Sequence, residues 1–253
     1  MKIIFNDKSY NSSYIKDGAS APGRMEAIME SIHNDSKYQI VRNDSAEYSD
    51  IIRVHESQYI DSVRNNQALY DMALLSAGGA IKASQIAMES EPAFACIRPP
   101  GHHAHPSSGW GYCSFCNMAI ALKKLRDEGR ITSAFILDFD AHGGDGTIDC
   151  LSDWKEAIIL NPMAEGRNEY VALVESFVKK LNYVDIIAVN AGFDTYEKDV
   201  GRKLASFDFY RIGYVLKMFS KRMEHHRRFA ILEGGYYLPD LGKNVLSFCQ
   251  GFE

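Results

Sequence analysis

The sequence predicts an α/β fold, a three-layer α/β/α sandwich with helices on both faces of a mostly parallel central sheet. Three observations carry this expectation. Short apolar runs alternate with stretches of helical periodicity along the whole chain, the pattern of strands joined by crossover helices. The runs are apolar throughout, as in strands buried on both faces. No internal repeat, low-complexity segment or linker interrupts the pattern, so residues 1–253 read as a single domain.

Lys2–Phe5 reads as the first strand. Pro22 then precedes Arg24–Ile32, where Met25, Ile28, Met29 and Ile32 recur at helical spacing. Ser57–Val63 and Ala68–Met88 are helical, the second Ala-rich and suited to close helix packing. Ala93–Ile97 is a buried strand stopped by Arg98-Pro99-Pro100-Gly101. Asn117–Glu128 is the next helix. Apolar strands follow at Ala134–Leu137, Ala157–Leu160, Asp185–Val189 and Phe229–Leu232. Helices near Tyr170–Leu181 and Phe207–Met223 separate the last three, and Val174, Phe177, Val178 and Leu181 form an apolar stripe on the first.

Composition narrows the class. A content of 46% hydrophobic and 24% charged residues is ordinary for a globular protein, and 253 residues bury a full core without staples. The net charge of −5 argues against a nucleic-acid partner, and the Lys123-Lys124 pair and the Arg222–Arg228 segment read as helix faces. His225-His226 reads as solvated at a charged helix end. The five cysteines include one Cys-x-x-Cys, at Cys113 and Cys116, without a second pair to complete a zinc-finger set. They read as reduced thiols in a cytoplasmic protein. The N-terminal apolar run is too short for a signal peptide, and no membrane span follows.

Sites in parallel sheets gather outside the carboxyl ends of the strands, and polar clusters follow four of the apolar runs. After Ala93–Ile97, a Pro/Gly turn leads into His102, His103 and His105. After Ala134–Leu137 come Asp138, Asp140 and His142, whose shared parity points them to one face of an extended chain. Packing two carboxylates and an imidazole onto one face is electrostatically costly unless a cation relieves the repulsion, and this oxygen–nitrogen set suits zinc or another first-row metal. After Asp185–Val189 comes Asp194, of value as a third ligand; after Phe229–Leu232 comes Glu233-Gly-Gly-Tyr236, where the glycines free the phenol to reach a site.

In order and spacing, RPPGHHA, GYC, DFDAHGGDGT, AGFD and LEGGY resemble the histone deacetylase family, over about residues 20–240. The LEGGY form, with Glu233, looks closer to the class II and acetylpolyamine amidohydrolase branch. The resemblance implies the arginase/deacetylase fold and a zinc-dependent hydrolase that removes acetyl or other acyl groups from an acylated amine such as an acetyl-lysine peptide or acetylpolyamine. It implies Asp140, His142 and Asp194 as metal ligands, a set that would also accept Fe2+ or Co2+. His103 would be general base and then acid, His102 would supply charge, and Asp138 and Asp145 would orient His102 and His103 respectively. Tyr236 would stabilise the oxyanion, and Gly111, Tyr112 and Cys113 would bind substrate. Arg24 would line a channel beneath the metal, and His55 would have a structural hydrogen-bonding role.

The chain departs from that family at three places. Gly143 stands where a second histidine usually follows the ligand, and Cys116 where an asparagine is common. Asn161–Gly166 is a very short connection where relatives carry a pocket wall, so the pocket is expected to be open, or closed by a second subunit in a homo-oligomer. The serine of a monovalent-cation site is replaced there, by Asn161, which makes potassium binding doubtful. Two other readings compete: a catalytically impaired relative that binds acylated ligands, and a manganese ureohydrolase, which needs more carboxylates than the single three-ligand set supplies.

Overall fold

All seven strands of the central sheet run parallel, so every connection between them is a crossover. The computed structural model describes residues 1–253. Its strands are β1 (Lys2–Ile4), β2 (Gln39–Val41), β3 (Ala93–Ala95), β6 (Ala134–Asp138), β7 (Ala157–Leu160), β8 (Ile186–Ala191) and β9 (Arg228–Leu232), ordered β2-β1-β3-β9-β8-β6-β7. A separate antiparallel hairpin pairs β4 (Ala104–His105) with β5 (Ser108–Gly109). The helices are α1 (Arg24–His33), α2 (Tyr48–Ile51), α3 (Ser57–Arg64), α4 (Gln67–Met88), α5 (Asn117–Asp127), α6 (Asp145–Cys150), α7 (Arg167–Lys180), α8 (Ser206–Arg222) and α9 (Leu238–Phe252).

Strand parity divides the core in two. Ala134 and Ile136 of β6, with Phe229 and Ile231 of β9, face a cluster built with α3, α4 and α5. Phe135, Leu137, Ala230 and Leu232 face the opposite cluster, built with α1, α7, α8 and α9. Each strand is therefore buried on both faces, which is why its sequence is apolar without alternation.

The strands and helices anticipated from periodicity are present, with boundaries moved by a few residues. Several elements were not anticipated, among them the short helices α2 and α6. β2 is an edge strand in which Gln39 and Ile40 are exposed. The β4–β5 hairpin has two residues per strand. α9 carries an apolar stripe of Leu241, Val245, Phe248 and Phe252 interrupted by Gly242 and Gly251. Two expectations are corrected. His225 is buried, with Nε2 at 2.9 Å from the Val184 carbonyl oxygen, because the chain turns inward after α8 to enter β9; only His226 is exposed. For the same reason Arg222–Arg228 is not a helix face: α8 ends at Arg222 and Arg228 is buried in β9.

Candidate active site

β3, β9, β8 and β6 are consecutive in the sheet, so the four polar clusters that follow them converge at one edge. The residues beside the acidic side chains are anchors. Phe139, between Asp138 and Asp140, packs against Phe193, the neighbour of Asp194, with ring centroids 5.5 Å apart. Both rings also pack on Phe209 and Phe248. Such aromatic pairs contribute about 0.5–1.5 kcal/mol each beyond burial. They lock the backbone from which the carboxylates project.

Ligand atoms of Asp140, His142 and Asp194 lie within 4.8 Å of one another. His142 Nδ1 is 3.0 Å from Asp140 Oδ1 and 3.1 Å from Asp194 Oδ2. That nitrogen has one proton to give, and Asp194 Oδ2 is buried without a hydrogen bond of its own. Burial, then the Asp140 charge, push the Asp194 carboxyl up to about 7. Burial works the same way on Asp140, but His102 and the hydrogen bonds from His142 outweigh it and hold that carboxyl below the usual range. Two buried carboxylates, one imidazole and an orphaned acceptor fit a divalent cation. The backbone leaves room for them: a Cβ at Gly192 would collide with the Asp140 carboxylate, and one at Gly234 would lie 2.6 Å from Asp140 Oδ2. The Gly234 N–H instead donates to that oxygen at 2.9 Å.

The tandem histidines have different surroundings. His102 Nδ1 is 3.1 Å from Asp138 Oδ2, which also accepts from Asn190 Nδ2 at 3.0 Å. Burial opposes its charged form, yet Asp140 and Asp138 prevail and raise it well above 6.5. His103 Nδ1 is 2.6 Å from Asp145 Oδ1. Burial and the neighbouring His102 charge hold it below 6.5 despite Asp145. Trp110 stacks on His103 with centroids 3.8 Å apart and donates from Nε1 to Asp145 Oδ2 at 3.1 Å.

From β9, Glu233 Oε2 accepts from Gly101 N–H at 2.7 Å and His102 N–H at 3.1 Å, tying the histidine loop to the sheet. Burial pushes its carboxyl up to about 7. Burial also raises the Tyr236 phenol, so it stays protonated and can donate. The Tyr236 and Tyr237 N–H groups both donate to Asp199 Oδ2, at 2.6 and 2.7 Å. Arg24 is fully buried below the tyrosine, donating to the Gly235 and Glu233 carbonyls.

The histone deacetylase domain profile matches residues 19–162. The chain belongs to the histone deacetylase family. It is a hydrolytic deacetylase. Among the deacetylase's relatives, a probable deacetylase of Archaeoglobus fulgidus is 29% identical over 91% of this chain and 78% of that protein. A second, from Methanothermobacter thermautotrophicus, is 26% identical over 99% and 90% respectively. Acetylpolyamine amidohydrolase 2 of Pseudomonas aeruginosa is 28% identical over 67% of this chain and 58% of its own length. The crystal structure of the HDA15 HD domain superimposes with a TM-score of 0.84 at 18% identity, over 99% of this chain and 88% of that one, a likeness of fold.

In the deacetylase, a cavity of about 520 Å³ opens over His102, His103, Asp140, His142 and Tyr236. Gly111 and Tyr112 line its wall, while Cys113 lies buried behind, near His102 and Glu233, outside the cavity lining. The Asn161–Gly166 connection is as short as the sequence indicates, and the His142 side chain is 51% exposed on that flank. Asn161 Oδ1 accepts from Gly144 N–H at 2.7 Å. His55 makes two structural hydrogen bonds, Nδ1 with the His105 carbonyl and Nε2 with Cys116 N–H, each 2.9 Å. Sequence reasoning missed Asp199 and Trp110. Asp199 sits in a charged stretch, Glu197-Lys198-Asp199, that reads as solvated, so no local signal marks it.

Proposed function

We propose that this deacetylase hydrolyses the amide of an acylated amine, an acetyl-lysine peptide or acetylpolyamine, using zinc held by Asp140, His142 and Asp194. The observation that carries the reading is the orphaned Asp194 oxygen beside Asp140 and His142, two residues that line the cavity. When bound, a metal in such a site supplies Lewis acidity toward the amide carbonyl and acidifies water.

The chain's own groups account for proton and charge handling. Hydrogen bonding to Asp145 directs the His103 proton to Nδ1, which leaves the Nε2 lone pair for the attacking water. The proton taken there then passes to the leaving amine. His102, hydrogen-bonded to Asp138, supplies positive charge that stabilises the developing negative charge without taking a proton. Tyr236 donates its phenolic hydrogen to the developing oxyanion, aimed by the Asp199 anchor on its backbone. Gly111 and Tyr112 flank the substrate, with Cys113 behind them. The exposed His142 flank favours a pocket more open than a closed tunnel, unless a second subunit covers it. Residues 1–253 form one catalytic domain in this reading. Five free thiols fit a reducing compartment such as the cytoplasm, and no helix is long and apolar enough to cross a membrane.

The test compares an acetyl-lysine peptide with acetylated polyamines on metal-stripped enzyme, zinc-reconstituted enzyme and Tyr236→Phe. Zinc should restore turnover. Tyr236→Phe should bind zinc normally and lose about 100- to 1000-fold in kcat, the usual effect of deleting one oxyanion donor. Full activity in stripped enzyme, or in the variant, would refute the proposal.

A further inference from the structure

A third imidazole–carboxylate link continues outward from the cavity. The β4–β5 hairpin sets His105 against α6, where Asp145 and Asp149 stand one turn apart. His105 Nδ1 is 2.9 Å from Asp149 Oδ2, and Nε2 is 3.4 Å from Asp145 Oδ2. With a carboxylate at each ring nitrogen, hydrogen-bonded at Nδ1 and within ion-pair distance at Nε2, the imidazolium is the favoured form. The Asp149 hydrogen bond favours that form, raising His105 above its ordinary value. The backbone carrying the ring is held from behind, since His55 donates to the His105 carbonyl and Glu56 N–H to the Pro106 carbonyl at 2.8 Å. The charged side chains acting on the ring are Asp149 and Asp145, with His103 across Asp145.

Asp145 needs such support. Its side chain is 46% exposed, unlike the wholly buried Asp138 that partners His102. Left alone, a half-exposed carboxylate exchanges rotamers with water, and the His103 ring turns with it. A productive site holds its groups to within about 0.5 Å. Here both Asp145 oxygens are occupied: Oδ1 by His103 and Gly146 N–H, Oδ2 by Trp110 and His105.

We propose that His105, clamped by Asp149, is a positioning residue that fixes the Asp145 carboxylate and through it the orientation of His103. The claim rests on the reading of His103 as the proton-transfer group. His105→Ala should lower kcat about 10-fold with KM within about twofold, the lower end for loss of an outer support. Because the ring is 25% exposed, added imidazole should restore part of the lost kcat. Asp149→Asn should act in the same direction more weakly. A probe independent of turnover is the indole 1H–15N signal of Trp110, bonded to Asp145; Trp154, the other tryptophan, donates to the Thr132 carbonyl and serves as control. In His105→Ala the Trp110 signal should move and the Trp154 signal stay. An unmoved Trp110 signal overturns the proposal, as does a kcat loss that imidazole does not relieve. Wild-type enzyme inactive on every acylated amine would sink the deacetylase reading instead, while the indole signal would still decide whether His105 holds Asp145.

Discussion

His102 and His103 are adjacent and identical in type, yet their surroundings drive them apart. Asp138 and Asp140 keep the first cationic; burial and the first one's charge keep the second neutral. A pair of titratable groups separated in this way is the usual mark of divided acid–base labour. The sign of the pH effect follows. His103 must be unprotonated to accept a proton, and its value lies below 6.5, so activity is lost only as pH falls beneath that point. At saturating zinc, kcat/KM should be level through neutrality with an acid limb below pH 6.5; a limb above it would contradict the assignment. These roles are half legible in sequence. The histidines and their aspartates stand in compact motifs, but the order of their basicities depends on burial and on distances across strands. Asp199 and Trp110 are invisible for the same reason: each acts through a partner remote in the chain.

At the scale of elements, the short turns after the strands carry the constraint. Gly192 links β8 to Asp194, and its missing Cβ is the space that the Asp140 carboxylate occupies. Gly192→Ala must displace either that carboxylate or the chain leading to Asp194. Such a variant should fold, since the aromatic anchor of Phe139 and Phe193 is untouched, but should lose about 10- to 100-fold in metal affinity. The measurement is the rise in Tm on titrating zinc: clear in wild type and shifted to higher zinc concentration in the variant. An unchanged titration would show that the turn has slack. Sequence patterns identify such elements when they are long and periodic. β2 was missed because an edge strand of three residues buries too little to pattern, and α9 because two glycines break an otherwise regular stripe. The inward turn that buries His225 has no local signature in a run of charged residues.

Over the whole molecule, the sheet order does what no local motif does: it makes neighbours of four strand ends that lie far apart in the chain. The histidine loop and hairpin then need fastening to the layer of α5, and His55 does this from a site 2% exposed. Its Nε2 must stay unprotonated to accept from Cys116. Burial accordingly depresses it to about 4, from an ordinary 6.5. The unfolded chain takes up a proton below pH 6.5 that the folded chain refuses, so stability falls as pH drops from 6.5 to 4 and no further below that. The full loss is about 3 kcal/mol, at 1.36 kcal/mol per pH unit. His225, also depressed by burial, adds in the same direction, whereas Glu233, raised to about 7, opposes it. Comparing wild type with His55→Gln, both with chelator present, cancels those contributions. Denaturant unfolding should show the variant less stable at pH 7, with the gap narrowing toward pH 4 as the wild type loses the His55 contribution. A gap that stays constant across that range would mean that His55 is not held neutral by the fold.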